Sequence, residues 1–286
     1  MNKYVVVISI FVMSILAACV TQKNSSGDLF AKENLVAWCI IPFDAKERNP
    51  EERALMLKEL GISRLAYDYR DRHIPSFRKE IEVLKQHQIE LSAVWLWVDP
   101  ENPLSEATIK ILETVEETGT STEFWVGMPD GAFEGLSDAE SLDKAVKAMK
   151  AVQESIEKTE SNLALYNHGG WYGEPGNQVR IIEALGSGKV KIVYNFHHGH
   201  HQVSRFEELL DLMLPHLSCI NINGMNMEGP KIIPLGEGEH ELEMLRIIRA
   251  SGYEGPIGIL GHTEGEDIRE VLKRNLHGLD NLRSEL

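Results

Sequence analysis

The histidines of this sequence have the number and spacing that most directly suggest chemistry. Four of them lie within residues 197–201, His168 opens a glycine-rich segment, and His262 follows an apolar run near the end of the chain. Neutral imidazole binds transition metals and accepts protons near neutral pH, so converging histidines can act as ligands or as bases. We therefore take His168, His198 and His262 as candidate metal ligands, and His168 and His198 also as candidate catalytic residues.

Aromatic and acidic residues crowd the chain after His168. Gly169 and Gly170 follow at once, then Trp171 and, three residues later, Glu174. Glycines let a ligand approach the backbone, and a tryptophan ring offers a flat apolar face on which a sugar ring can stack. We take Trp171 as a candidate substrate-binding residue and Glu174 as a candidate catalytic acid or base. The alternative is a glycine-rich turn with a packed tryptophan.

Three further polar residues are candidates for substrate binding. Asn195 and Asn223 follow apolar runs, and asparagine is disfavoured in strands, so both suggest a polar cavity mouth. Their alternative role is as buried, hydrogen-bonded amides. Arg70 can hold a carboxylate or hydroxyl groups of a substrate, whereas an ion pair with Asp68 or Asp71 would make it structural.

All of these residues lie at or just beyond the ends of predicted strands. From residue 35 onward, short runs rich in Val, Ile and aromatic residues alternate with segments of helical period. The predicted strands are residues 35–41, 64–69, 89–98, 123–128, 162–166, 190–194, 218–222 and 257–260. Eight strand-helix units in about 250 residues predict an α/β fold of the (β/α)8 TIM-barrel type, with a doubly wound open sheet as the alternative. In such barrels functional residues gather at the carboxyl ends of the strands, where these candidates would meet.

The same topology predicts the state of two cysteines. Cys39 and Cys219 fall in predicted strands one and seven, which strand eight separates in a closed ring. Two strand spacings of about 4.8 Å exceed the limit of about 7 Å between the Cα atoms of a disulfide. We expect both to be free, buried thiols.

Composition and charge exclude several classes of function. The chain is 43% hydrophobic and 26% charged, which is ordinary for a globular protein with a core. Its 44 acidic residues against 29 basic ones give a net charge of −15, which disfavours a nucleic-acid partner. The sequence has no G-x-S-x-G, phosphate-binding loop, H-E-x-x-H or dinucleotide motif, so serine hydrolase and nucleotide-dependent chemistry have no support.

The amino terminus carries the pattern of an export signal. Lys3 precedes an apolar run that ends in Leu16-Ala17-Ala18-Cys19, so residues 1–18 are predicted to be a signal peptide. The ending resembles the lipobox of bacterial lipoproteins, which implies a lipid on Cys19. Residues 19–33 would then be a flexible tether and residues 34–286 the barrel domain. We expect a membrane-anchored lipoprotein on the periplasmic or cell-surface side, with a chance match as the alternative.

Three stretches carry a resemblance to a known family. They read Leu163-Ala-Leu-Tyr-Asn-His168-Gly-Gly, Pro234-Leu-Gly-Glu-Gly238 and Gly252-Tyr-Glu-Gly-Pro-Ile-Gly-Ile-Leu260. With them the chain resembles the sugar phosphate isomerase/epimerase-like proteins of the xylose-isomerase-type TIM barrel superfamily. Typical members hold one divalent ion with Glu, Asp, His and Glu on strands five to eight. The corresponding positions in this sequence are Tyr166, Asn195, Asn221 and Leu260, so all four usual ligands are absent.

The resemblance implies an extracytoplasmic carbohydrate-active enzyme that works through an enolate, as an isomerase, an epimerase or a keto-glycoside lyase. Its partner would be a small sugar or glycoside. A divalent metal such as Zn, Mn or Co would be held by His168, His198 and His262, or the site would act without metal. The alternative function is a non-catalytic sugar-binding lipoprotein that has lost the usual ligands.

Overall fold

The protein is a closed barrel of eight parallel strands, as predicted, in a computed structural model that describes residues 28–286. The predicted signal peptide, Cys19 and the tether as far as residue 27 lie outside the described residues. The strands follow one another around the ring in chain order, and β1 closes it by pairing with β8, so the open-sheet alternative is wrong. The strands are β1 Leu35–Trp38, β2 Arg64–Tyr67, β3 Glu90–Trp97, β4 Glu123–Gly127, β5 Asn162–Tyr166, β6 Val190–Asn195, β7 Leu217–Ile222 and β8 Ile257–Leu260.

A helix follows each strand and covers the outside of the barrel. The helices are α1 Pro50–Leu60, α2 Phe77–Gln86, α3 Glu106–Glu117, α4 Asp138–Ser155, α5 Pro175–Leu185, α6 Phe206–Met213, α7 Glu241–Ala250 and α8 Ile268–Arg283. The main apolar core lies between this helical layer and the strands. None of the helices among residues 28–286 is both long and apolar enough to cross a membrane.

The barrel interior has its own smaller apolar cluster, which forms the floor of the site. Ala66, Ala93 and Ala164 are small inward residues on β2, β3 and β5, and they leave room for larger rings. Trp38 and Trp125 fill that room with their ring centroids 5.0 Å apart, and Trp38 also meets a tyrosine of β5. The interior is therefore closed below the carboxyl ends of the strands.

Two strands, β1 and β2, end two or more residues before their predicted ends because the chain turns toward the cavity there. β1 ends at Trp38 and β2 at Tyr67, ahead of the predicted ends at residues 41 and 69. Cys39 follows β1 with a positive φ of 55°, and beyond it the backbone N–H of Ile41 donates to the Asp68 carboxylate at 3.3 Å. This link ties the loops after β1 and β2 together.

The amino-terminal segment that the structure describes packs against the barrel. Phe30 is buried, and the side-chain amide of Asn34 donates to the carbonyl oxygens of Leu29 and Gly255. Asp28 forms an ion pair with Arg283 at the end of α8. Residues 28–33 were predicted as tether, but these contacts make them part of the domain.

The two cysteines agree with the prediction. Cys39 and Cys219 are both buried, and neither forms a disulfide within residues 28–286. Burial raises the pKa of both thiols, and the negative charges of Asp68 on Cys39 and of Glu123 on Cys219 add to this effect. Both are neutral packing residues at physiological pH.

Candidate active site

A cavity of about 940 Å³ opens at the carboxyl ends of the strands, above the aromatic floor. Its lining is mainly aromatic and imidazole side chains, with a few charged groups. The chemistry-bearing residues that line it are Trp38, Cys39, Asp68, Arg70, Asp71, Arg72, Trp95, Trp97, Tyr166, His168, His197, His198 and His262. An open cavity of this size suits a small-molecule ligand.

Four histidines meet on one side of this cavity. The ring centroids of His197 and His198 are 3.9 Å apart, and those of His168 and His198 are 4.6 Å apart. His262 lies 6.2 Å from His197 by the same measure and stacks on Phe43 at 3.8 Å. The structure thus brings His168, His198 and His262 to one cavity, and it adds His197.

Burial keeps the inner histidines neutral. It lowers the pKa of His198 to about 3. The neighbouring imidazoles and Lys231 contribute to this lowering, because they would repel a positive charge on His198. The pKa of the buried His197 is lowered well below its usual value for the same reason, and that of His262 is lowered mainly by burial. These rings are therefore uncharged near pH 7 and can accept or donate a hydrogen bond.

His168 is oriented by an acidic partner that the sequence did not reveal. Its Nδ1 lies 2.8 Å from Oδ1 of Asp130, which begins a short 3-10 turn after β4. A carboxylate only accepts hydrogen bonds, so Nδ1 carries a hydrogen, and in the neutral ring Nε2 is the nitrogen with the lone pair. The His168 ring also lies edge-on to Trp97, with centroids 4.8 Å apart. Because Asp130 is in a loop far from His168 in the chain, no local pattern pairs them.

The glycines after His168 make room for Asp130. A Cβ atom on Gly169 would lie 2.9 Å from Oδ2 of Asp130, and one on Gly170 would lie 2.8 Å from its backbone oxygen. Gly170 also has a positive φ of 65°. The expected close approach of a ligand to these glycines is therefore wrong: the Asp130 turn occupies that space.

Asp68 is a buried carboxyl group at the cavity, and it is the most consequential residue that sequence reasoning left out of the site. Its Oδ1 accepts the N–H of Ile41, while its Oδ2 is buried without a hydrogen-bond partner. Burial raises the pKa of Asp68 to about 7. The ion pair considered between Asp68 and Arg70 does not form among the described residues. The available signal was an acidic residue next to the end of the predicted strand 64–69.

Arg70 lines the cavity, as expected of a substrate-binding residue. Its Nη1 donates to the carbonyl oxygen of Tyr69 at 2.9 Å, and its guanidinium lies 5.5 Å from the centre of the Phe43 ring. The backbone N–H of Arg70 donates to Nδ1 of His73. These contacts hold the guanidinium at the rim and leave most of its N–H groups free.

Trp171 and Glu174 lie outside the cavity. Trp171 packs on Phe133 with ring centroids 5.4 Å apart, and its Nε1 donates to Asp138. Glu174 precedes α5 and accepts a hydrogen bond from Gln202 at 2.7 Å. The packed tryptophan in a glycine-rich turn, given as the alternative, matches this arrangement.

Asn195 and Asn223 are buried, hydrogen-bonded amides, which was their alternative role. The Nδ2 of Asn195 donates to Oδ1 of Asn167 at 2.8 Å, and its Oδ1 accepts from Nδ2 of Asn221 at 2.7 Å. Asn223 donates to the carbonyl oxygen of Lys231 at 2.9 Å. Neither asparagine lines the cavity.

A bound metal ion needs several ligating side chains grouped around one point. Across residues 28–286, no group of three or more His, Cys, Asp or Glu side chains is placed to hold one. At the family's ligand positions, Asn195 and Asn221 bond to each other, and Leu260 offers no donor. His168, His198 and His262 share a cavity without forming a ligand set, so the side chains present do not fit a bound metal.

Comparison with known proteins supports the fold and gives the family. The chain is 15% identical to 3-keto-D-glucoside 4-epimerase from E. coli, with 88% of this chain and 99% of that chain covered and a TM-score of 0.67. It is 11% identical to an L-ribulose 3-epimerase, with 88% of this chain and 96% of that chain covered and a TM-score of 0.65. It is 13% identical to the IOLI protein, whose structure contains a zinc atom. That match covers 88% of this chain and 98% of that chain, with a TM-score of 0.66.

At these low sequence identities, the similarity to solved structures shows only that the folds are alike. No curated protein matches the sequence significantly. The family model for the xylose isomerase-like TIM barrel, in contrast, matches residues 58–281, which is most of the chain. This protein therefore belongs to the xylose isomerase-like TIM barrel family.

Proposed function

We propose that the protein is a carbohydrate-active enzyme that moves a proton at a carbon next to the carbonyl group of a keto sugar. An epimerase, an isomerase or a keto-glycoside lyase would all use this step. Family membership supports the proposal, and sugar epimerases are among the proteins of similar fold. The observation that carries it is the pairing of a buried Asp68 carboxyl group with the His168 and His198 imidazoles across one cavity.

The barrel topology puts these groups on opposite sides. Asp68 follows β2 and His198 follows β6, and these strands are four positions apart in a closed ring of eight. His168 follows β5 and lies beside His198. A sugar ring bound between them would present one face to the carboxyl group and the other to the imidazoles. Inversion at a carbon needs this arrangement, since the proton leaves from one face and returns to the other.

The protonation states fit such a transfer. The free Nε2 of His168 can take the proton from carbon, and the electron pair of the C–H bond then forms the enolate with the adjacent carbonyl. Asp68, with its pKa raised to about 7, is protonated in about half of the molecules near neutral pH and can return a proton to the other face. Neutral His198 can donate an N–H to the enolate oxygen. Loss of a leaving group from the next carbon would instead complete a lyase reaction.

Two tryptophans on β3 supply the apolar surface that a sugar ring needs. Trp95 and Trp97 both line the cavity, and their rings stack with centroids 5.5 Å apart. Trp97 is 38% exposed, so it can contact a ligand. We assign these rings the stacking role that the sequence suggested for Trp171.

The test is proton exchange at a sugar carbon in deuterated water, followed by NMR over a panel of 3-keto-glycosides. We expect exchange beside the ketone and a loss of about 100-fold or more in His168→Ala. Asp130→Asn should lower kcat with little change in KM, because it acts through His168. Asp138→Asn is the matched control, since Asp138 is equally exposed but bonds to Trp171.

Two results would contradict the proposal in different ways. Sugar binding without exchange would favour the non-catalytic sugar-binding alternative. Unchanged exchange in His168→Ala would show that His168 is not the base. Because the side chains do not fit a metal, we expect exchange to survive treatment with EDTA. Its loss, together with bound Zn, Mn or Co, would instead support the predicted ligands His168, His198 and His262.

We further propose that this activity operates outside the cytoplasm, with the protein anchored through a lipid on Cys19. Support for this comes from the pattern of residues 1–19, and lipid labelling of the unaltered precursor and of Cys19→Ala tests it.

A further inference from the structure

The cavity mouth holds two arginines that lack acidic partners. Among the arginines of residues 28–286, all but Arg70, Arg72 and Arg249 form an ion pair with an Asp or Glu side chain. Arg70 and Arg72 both line the cavity. The chain has 44 acidic residues against 29 basic ones, so acidic partners are plentiful. Two unpaired guanidinium groups at one opening indicate a partner that arrives with the ligand.

Arg70 is held ready for such a partner. The Phe43 ring lies under its guanidinium, and its Nη1 donates to the carbonyl oxygen of Tyr69. Arginine has five N–H donors in a planar fork, and this contact uses one of them. The remaining donors can bind two oxygens of one oxyanion, and little side-chain freedom is lost when they do.

Basic and acidic groups both surround the opening. Arg70 and Arg72 also line a smaller adjoining cavity of about 310 Å³, and Lys231 is close enough for its charge to act on His197 and His198. The acidic groups facing these cations are Asp71 in the main cavity, Asp44 and Glu264 in the smaller one, and the buried Asp68. Asp44 is already paired with Arg48. Asp68, Asp71 and Glu264 form no ion pair with Arg70 or Arg72 within residues 28–286, so both guanidinium groups remain available to an anion.

We infer that the substrate is a sugar that carries an oxyanion, a carboxylate or a sulfate ester, which Arg70 and Arg72 bind at the cavity mouth. This inference rests on the proposed function, because it names the class of sugar that the same site would take. The oxyanion would fix the sugar at the rim and thereby direct its ring toward Asp68 and the histidines.

The experiment compares matched sugars by isothermal titration calorimetry of the full domain. The probes are D-glucose with D-glucuronate, D-galactose with D-galacturonate, and D-glucose 6-sulfate and D-glucose 6-phosphate to separate the sources of charge. We expect at least one acidic sugar to bind about tenfold more tightly than its neutral partner, with the preference reduced by added NaCl.

The variants identify the residues responsible. Arg70→Gln/Arg72→Gln should lose the preference for the acidic sugar, while Arg249→Gln, which changes the other unpaired arginine, should keep it. Equal or weaker binding of every acidic sugar, or a preference that survives the double variant, would overturn the inference.

Parallel exchange measurements separate this inference from the proposed function. Proton exchange of neutral keto-glycosides without a preference for acidic sugars would overturn the inference alone. A preference that depends on Arg70 and Arg72, without exchange on any keto sugar, would support the inference and contradict the proposed function.

Discussion

At the scale of single residues, the site is built from groups whose burial sets their protonation. Asp68 has no compensating cation within hydrogen-bonding distance, and burial raises its pKa from 3.8 to about 7. The folded protein therefore binds this proton more tightly than the unfolded chain does. The resulting stabilisation is fully present below about pH 4 and is lost as the pH rises through about 7.

Asp68→Asn is expected to be more stable than the wild type at alkaline pH. The amide keeps an oxygen for the N–H of Ile41 but carries no charge to desolvate. The gain in free energy of unfolding should be larger at about pH 8 than at about pH 5, by roughly 2 kcal/mol. Urea unfolding at both pH values measures it, and exchange activity should fall in the same variant.

The control for this prediction is Asp71→Asn, which changes an exposed carboxylate of the same cavity. It should alter stability by the same small amount at both pH values. If the change in stability of Asp68→Asn did not depend on pH, burial would not raise the pKa of the Asp68 carboxyl group.

At the scale of structural elements, the geometry of the candidate site depends on two loops fitting together. The turn after β4 brings Asp130 to the segment after β5, and glycines are required where they touch. This explains a glycine-rich sequence next to His168 without any ligand in contact with those glycines. It also makes the orientation of His168 sensitive to small changes in either loop.

Gly170→Ala should impair exchange more than it impairs folding. The new Cβ would meet the backbone oxygen of Asp130 at 2.8 Å, so the turn must move away from His168. Gly135→Ala is the control, because Gly135 has a similar positive φ of 76° and nothing within 4 Å of the added atom. Both variants should lose about 1 kcal/mol of stability from backbone strain. Equal activities in the two variants would contradict the role given to this contact.

At the scale of the whole molecule, the fold separates the chain's entry point from the cavity. Residues 28–34 pack beside Gly255 and Arg283, at the amino-terminal ends of the strands. The cavity opens at the opposite ends. A chain anchored through Cys19 would therefore join the domain on the side away from the cavity mouth, which leaves the mouth accessible to sugars.

Cys19→Ala tests the predicted anchor. The unaltered precursor, expressed in a bacterial host, should incorporate labelled palmitate and sediment with membranes, whereas Cys19→Ala should do neither. Cys219→Ala is the control, because Cys219 is buried in the barrel and cannot take a lipid. Lipid labelling that persists in Cys19→Ala would show that the resemblance to a lipobox is accidental.

The sequence by itself determined the fold and the neighbourhood of the site. Strand and helix periodicity is local, so eight alternating units identify the barrel, and residues at the ends of parallel strands must converge. For that reason His168, His198, His262 and Arg70 could be predicted to reach one cavity, as they do.

Only the tertiary structure decided which side chains face the cavity and which partners they have. Beyond the end of a strand, a side chain's direction depends on loop packing rather than on any period. Trp171 and Glu174 turn outward for this reason, while Asp130 reaches His168 from another loop. The pKa of Asp68 was equally beyond the sequence, because it depends on burial by residues that are distant in the chain.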